Sequence, residues 1–179
     1  MPVGPKPKIA VVDDDSRMRA SLVAALRPGF EVLEGEDYEA AYKLLQEENL
    51  DVLLLALPME SGGLRECTEL LNRLAGGDID SLVIVLSTDQ KKTTALKVID
   101  AGCYDYFIQP IDTDVLRLLL ERAIEKLHIQ RENRLLREEI SRKNTLGDLI
   151  GATDAMRHVF DSINHMARAT TNVIIRGES

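Results

Sequence analysis

The stretch DVLLLALPM, Asp51–Met59, is an apolar run that begins at an acid, ends in Ala56 and is broken two residues later by Pro58. Its apolar residues follow one another without polar alternation, so it reads as a strand covered on both faces. LVIVLS at Leu82–Ser87 has the same character, and KIAVV at Lys8–Val12 leads directly into Asp13, Asp14 and Asp15. Shorter strands are expected at Glu31–Leu33 and Tyr104–Ile108. Amphipathic helices fall between them at Ser16–Leu26, Tyr38–Glu48, Leu64–Ala75 and Lys91–Ala101, with Pro28-Gly29, Gly76-Gly77 and Gly102 as stop signals. Short apolar runs alternating with helices predict an α/β fold, a five-stranded parallel sheet with helices on both faces.

A fifth helix is expected to start at Asp112–Asp114, where a carboxylate after Pro110 caps free amides, and nothing breaks it before about Lys143. At 1.5 Å per residue it would reach roughly 45 Å, longer than a compact domain of this size can cover. Its first half, VLRLLLERAIEKL, is apolar enough to pack on the sheet. In its polar second half, Ile129, Asn133, Leu136 and Ile140 form a narrow seam, supported by Glu138–Arg142 and Glu139–Lys143 pairs in the favourable order. The seam predicts a short parallel coiled coil and a homodimer through this linker; a solvated connecting helix is the plainer alternative. The expected domains are therefore 1–125, a helical linker at 126–146, and a further unit beginning at 147. That last segment reads as a loop, NTLGDLIGAT, then a helix with Met156, Val159, Phe160, Ile163 and Met166 on one side, then a strand NVIIR.

The 179 residues carry a formal charge of −8 and 45% hydrophobic residues, enough for one proper core. The charge argues against a nucleic-acid surface within this segment, because phosphate contacts need clustered Lys and Arg. No apolar run approaches the roughly 18 residues that cross a bilayer, and MPVGPKPK lacks the apolar core of a signal peptide, so a cytoplasmic location without membrane contact is expected. Cys67 and Cys103 have no metal-ligand spacing and read as packed thiols. His128, His158 and His165 have no carboxylate or Cys at ligand spacing and read as surface or core residues.

Chemistry is expected beyond the carboxyl ends of the strands. There Asp13, Asp14 and Asp15 repel one another unless a hard cation such as Mg²⁺ shares them, although Asp15 or Ser16 also serves to cap the next helix. Ser87 and Thr88 form a hydroxyl pair, and Tyr106-Phe107-Ile108-Gln109-Pro110 follows the last strand.

In this order VVDDD, DVLLLA, VIVLS and YDYFIQP resemble the receiver domain of two-component response regulators, over about residues 7–125. The resemblance implies a flavodoxin-like sheet, an acidic Mg²⁺ pair at Asp13 and Asp14, a phosphate-site hydroxyl at Ser87, an aromatic switch at Tyr106 and a cis proline at Pro110. It also implies an Asp phosphoacceptor where Ala56 stands and a Lys where Gln109 stands. Pro58 arrives two residues after the acceptor position, where the family usually has it four after. A methyl group cannot form an acyl phosphate. Without the third carboxylate the cation site would be weak, so no cofactor is required. Gln109 and the altered loop depart together with Ala56, which points to inherited loss rather than a single engineered change.

The tail LIGATDAMRHVFDSINHMARATTNVIIRGES resembles the opening of the AAA+ domain of sigma-54-dependent transcription activators, where such a strand leads into a phosphate loop of the form GESGTGKE. Only Gly177, Glu178 and Ser179 of that loop are present, so ATP hydrolysis is expected only of a longer chain. The resemblance implies a degenerate receiver with linker, serving regulation and dimerisation, and DNA and sigma-54 RNA polymerase as partners of the full-length form. A rival keeps phosphotransfer on another carboxylate, Asp14 or Glu60.

Overall fold

The computed structural model describes residues 5–58, 62–75, 80–143, 145–146 and 149–167, with single positions at 172, 174 and 176. Glu60, Gly177, Glu178, Ser179 and much of the expected tail strand lie outside the described residues. The chain divides into two compact units, Met1–His128 and Ile129–Ser179.

In the first unit, strands β1 (Lys8–Val12), β2 (Glu31–Gly35), β3 (Val52–Leu57), β4 (Leu82–Ser87) and β5 (Asp105–Ile108) form one parallel sheet in the order β2-β1-β3-β4-β5. Helices α1 (Ser16–Leu26), α2 (Tyr38–Glu47), α3 (Gly63–Ala75), α4 (Lys92–Asp100) and α5 (Thr113–Lys143) connect and follow them. The unbroken runs that mark β1, β3 and β4 in the sequence are the strands covered on both faces. Because side chains alternate along a strand, each run feeds two cores. Leu53, Leu55 and Val85 pack with Ala41 and Leu45 of α2, Cys67 and Leu71 of α3 and Val98 of α4. Val52, Leu54 and Ile84 pack with Leu22 and Leu26 of α1 and Leu116, Leu120 and Ile124 of α5. Both cysteines are free and buried, and burial pushes the Cys67 thiol up to about 12 and Cys103 up to about 11, as befits packing residues.

β2 runs two residues past its expected end. The ladder with β1 continues to Val12 opposite Gly35, and Glu34, whose charge suggests a loop, is an exposed strand residue within reach of Arg19 and Arg27. α5 begins as expected, with Asp112 Oδ1 accepting the backbone N–H groups of Asp114 and Val115. Arg117 of α5 donates to the Ala25 carbonyl in the last turn of α1. At the far end of the sheet, His128 Nε2 lies 3.4 Å from Asp51 Oδ1, and the other Asp51 oxygen accepts the Lys8 backbone N–H at 3.0 Å. This acid is 77 residues away in the chain, beyond the reach of any spacing rule, and the His128 ring stays half exposed.

In the second unit, Thr145–Leu146 (β6) and Leu149–Ile150 (β7) pair antiparallel where the sequence reads as loop. Helix α6 (Asp154–Met166) is capped by the Thr153 side chain, with Phe160 as its buried residue.

Asp51 is buried and holds a backbone donor, whereas the His128 ring is half exposed. Asp51→Ala is therefore expected to cost about 2 kcal/mol in urea unfolding, and His128→Ala less than about 1 kcal/mol.

Candidate functional site

The carboxyl ends of β1, β3 and β5, with the residue after β4, meet at a cleft of about 470 Å³ lined by Asp13, Asp14, Asp15, Met18, Ala56, Pro58, Thr88, Gln109 and Pro110. A smaller cleft of about 250 Å³ shares Asp13, Asp14, Ala56 and Pro58 and adds Tyr38, Gly63 and Glu66. The pair that follows β1, Asp13 and Asp14, and Ala56 with Pro58 at the end of β3 thus border both.

Asp13 is buried, and its Oδ1 accepts the Asp15 N–H at 2.9 Å, while Arg19 Nη1 donates to its backbone carbonyl. Burial pushes its carboxyl above the ordinary value, the Asp15 N–H works against this, and the charges of Asp14 and Asp15 add to it. Asp15 spends its side chain on capping α1, accepting from the N–H groups of Arg17 and Met18. Asp14 is exposed and lines both clefts.

Ala56 is half-buried, and its carbonyl accepts from the Tyr38 hydroxyl at 3.4 Å, as does that of Gly63 at 3.3 Å. Burial raises the Tyr38 phenol far above its usual range. A Cβ on Gly63 would lie 2.7 Å from the Pro58 carbonyl oxygen, a spacing only glycine tolerates.

Gln109 enters the larger cleft, its backbone N–H donating to the Ser87 carbonyl and its bond to Pro110 cis. Its side chain makes no hydrogen bond to another described residue. Of the hydroxyl pair, Thr88 lines the cleft. Ser87 is 1% exposed and accepts the Asp89 N–H on its Oγ. Tyr106 packs on the core and donates its hydroxyl to the Asp89 carbonyl at 2.7 Å.

Asp89 is the residue the sequence reading missed. Its two carboxylate oxygens accept from the Lys91 N–H and the Thr94 hydroxyl, and these, the Thr94 bond first, hold its carboxyl below the ordinary value. It therefore ties the end of β4, the start of α4 and the Tyr106 ring into one set of bonds. An Asp three residues before the Lys that opens a helix is an available turn signal.

A hard divalent cation takes about six oxygen ligands. Here one Asp13 oxygen already holds an N–H and the β3 position offers a methyl, so the donor set fits such an ion poorly. Among the described residues, no three His, Cys, Asp or Glu side chains are placed to hold a metal.

The seam residues belong to the second unit. Ile129, Leu136 and Ile140 are each more than half exposed, and the Asn133 amide donates to the Ile129 carbonyl one turn back.

The fold and cleft define a class, an open α/β domain with its site beyond the carboxyl ends of the strands. The response regulator receiver domain matches residues 9–121, and the chain belongs to that family. It is 27% identical over 174 residues to the regulatory protein AtoC of Escherichia coli (strain K12), covering 96% of this chain and 37% of AtoC. It is 30% identical over 177 residues to the DNA-binding transcriptional regulator NtrC of Proteus hauseri, covering 97% of this chain and 36% of NtrC. A crystal structure of NtrX from Brucella abortus in complex with ATP superposes with a TM-score of 0.64 at 26% identity, over 92% of this chain and 36% of NtrX. The chain thus spans little more than a third of the length of these relatives. The receiver domain of a LuxO-type repressor from Vibrio parahaemolyticus, 18% identical with a TM-score of 0.62, shares the fold.

A carboxyl whose proton affinity is raised by folding destabilises the folded state once ionised, and the penalty develops as pH rises from the unfolded value through the folded one. Asp13→Asn keeps the acceptor for the Asp15 N–H and removes the charge. It should raise the thermal midpoint at neutral pH, and the gain should disappear as pH falls below the unfolded carboxylate value.

Proposed function

We propose that this chain is the regulatory and dimerising part of a sigma-54-dependent transcription regulator, and that its receiver takes no phosphoryl group at the usual site. The observation that carries the reading is Ala56 at the end of β3, facing the same clefts as Asp13 and Asp14. A receiver of the ordinary kind forms an acyl phosphate on a carboxylate there. A methyl offers no nucleophile, and Gln109, in place of a cation, brings no charge to the acidic pair. Any Mg²⁺ held by Asp13 and Asp14 would be held weakly.

In this reading the bonds that a switch would make and break are standing ones. Tyr106 and Ser87 both bond to Asp89, and Asp89 bonds to the first turn of α4. The receiver then presents one fixed surface, and control comes from a partner, a small ligand or abundance. The longer protein would carry the ATPase and DNA-binding parts, contact sigma-54 RNA polymerase and reside in the cytoplasm, where NtrC-like regulators act. The domains would be the receiver at 1–125, a linker at 126–146 and the start of the ATPase from 147.

Incubation with acetyl phosphate and Mg²⁺ followed by intact mass tests the central step. No added phosphoryl mass is expected; addition would instead support the rival acceptor, for which Asp14 is the exposed carboxylate in the cleft. The exposed seam Ile129, Asn133, Leu136 and Ile140 supports a parallel homodimer through the linker, with the receiver taking part. By sedimentation the chain should have a dimer mass that Leu136→Lys reduces to the monomer; a monomer in both cases would remove the coiled coil.

A further inference from the structure

A second surface of the receiver lies between α2 and α3. Tyr38 and Tyr42 stand one turn apart on α2, and Glu66, Glu69 and Arg73 follow the same facing stripe of α3. With Glu39 they border an open groove of about 520 Å³. Three carboxylates, Glu39, Glu66 and Glu69, line it with the Arg73 guanidinium, and Arg65 stands beside Glu69. Arg65 pairs with Glu69 at 2.7 Å, while Glu39 and Glu66 have no ion-pair partner among the described residues. The Arg73 guanidinium sits 3.9 Å above the Tyr42 ring, so one face of that ring already receives a planar cation. Tyr38 and Glu66 also line the smaller Ala56 cleft, which makes the two depressions neighbours and continues the negative charge past the end of the groove.

We propose that the α2–α3 groove docks a basic, arginine-bearing segment of a partner protein. A guanidinium stacks on an aromatic face and bonds to a carboxylate at once, which a groove with two tyrosine rings and two glutamates without an ion pair among the described residues provides. The groove is open and its charge is spread along its length, so it suits a chain segment carrying several positive groups better than one small ion. The proposal goes beyond the reading of the Ala56 cleft and stands whether or not the receiver takes a phosphoryl group.

The test uses a fluorescein-labelled hexa-arginine peptide against the whole chain at physiological ionic strength, with affinity from anisotropy and location from amide shift mapping. Shifts should concentrate in Tyr38–Glu47 and Gly63–Ala75. Glu66→Gln and Tyr42→Leu should each weaken binding roughly tenfold, and Tyr42→Phe, which keeps the ring face, should restore it. Glu125→Gln, an equal change of charge on exposed α5, should leave affinity unchanged. Equal loss in Glu125→Gln and Glu66→Gln would mean diffuse attraction and overturn the proposal. So would shifts centred on Asp13 and Asp14, or no measurable binding. Glu66 is exposed, so its variant reads the groove even if Tyr42→Leu does not fold.

Discussion

Strand β3 lies between β1 and β4, and its Val52–Leu55 segment is buried on both faces. That burial fixes everything at its two ends. One residue too many or too few would turn Leu53 and Leu55 from the α2–α3 side to the α1–α5 side, an exchange the packed cores cannot accept. The register therefore dictates which residue emerges beside Asp13, and that residue is Ala56. At the other end it sets Asp51 against the Lys8 amide and His128. A slipped strand would have spoiled the core, so the position beside Asp13 is firmly that of Ala56 and carries no acid.

At the carboxyl ends the clefts are acidic, with no Lys or Arg among the described residues that line them. Asp13 sits there at a cost, shown by the rise in its proton affinity on burial, and Gln109 brings an uncharged amide with no partner among the described residues. Beside the cleft stands a set of bonds around Asp89. Ser87 and Tyr106 are occupied with that loop and not with the cleft. The same residues that suggest a switch are bonded here to the loop that leads into α4.

The legible parts of the fold are those written in local pattern. Unbroken apolar runs mark β1, β3 and β4, a carboxylate after Pro110 marks the start of α5, and the strand ends bring Asp13, Asp14, Ala56 and Gln109 together as expected. β2 reads short because Glu34 is charged but lies on an edge strand, where charge is tolerated. The β6–β7 hairpin has only two residues per strand, too few for any alternation to register. The Asp51–His128 contact and the Tyr38 bond to the Ala56 carbonyl join residues far apart in the chain, so they exist only once the sheet is assembled. Asp89 carries a turn signal, but its bond to Tyr106 again needs β4 and β5 side by side.

In the proposed reading a receiver fold persists with its covalent switch removed and its α4 loop held in one arrangement. Amide spectra recorded with and without Mg²⁺ and beryllofluoride, which mimics an aspartyl phosphate, test this most directly. Superposable resonances for Ser87, Asp89, Thr94 and Tyr106 are the predicted result. Saturable shifts at those residues would contradict it, because they would show an acceptor in the cleft and a loop that still responds to it.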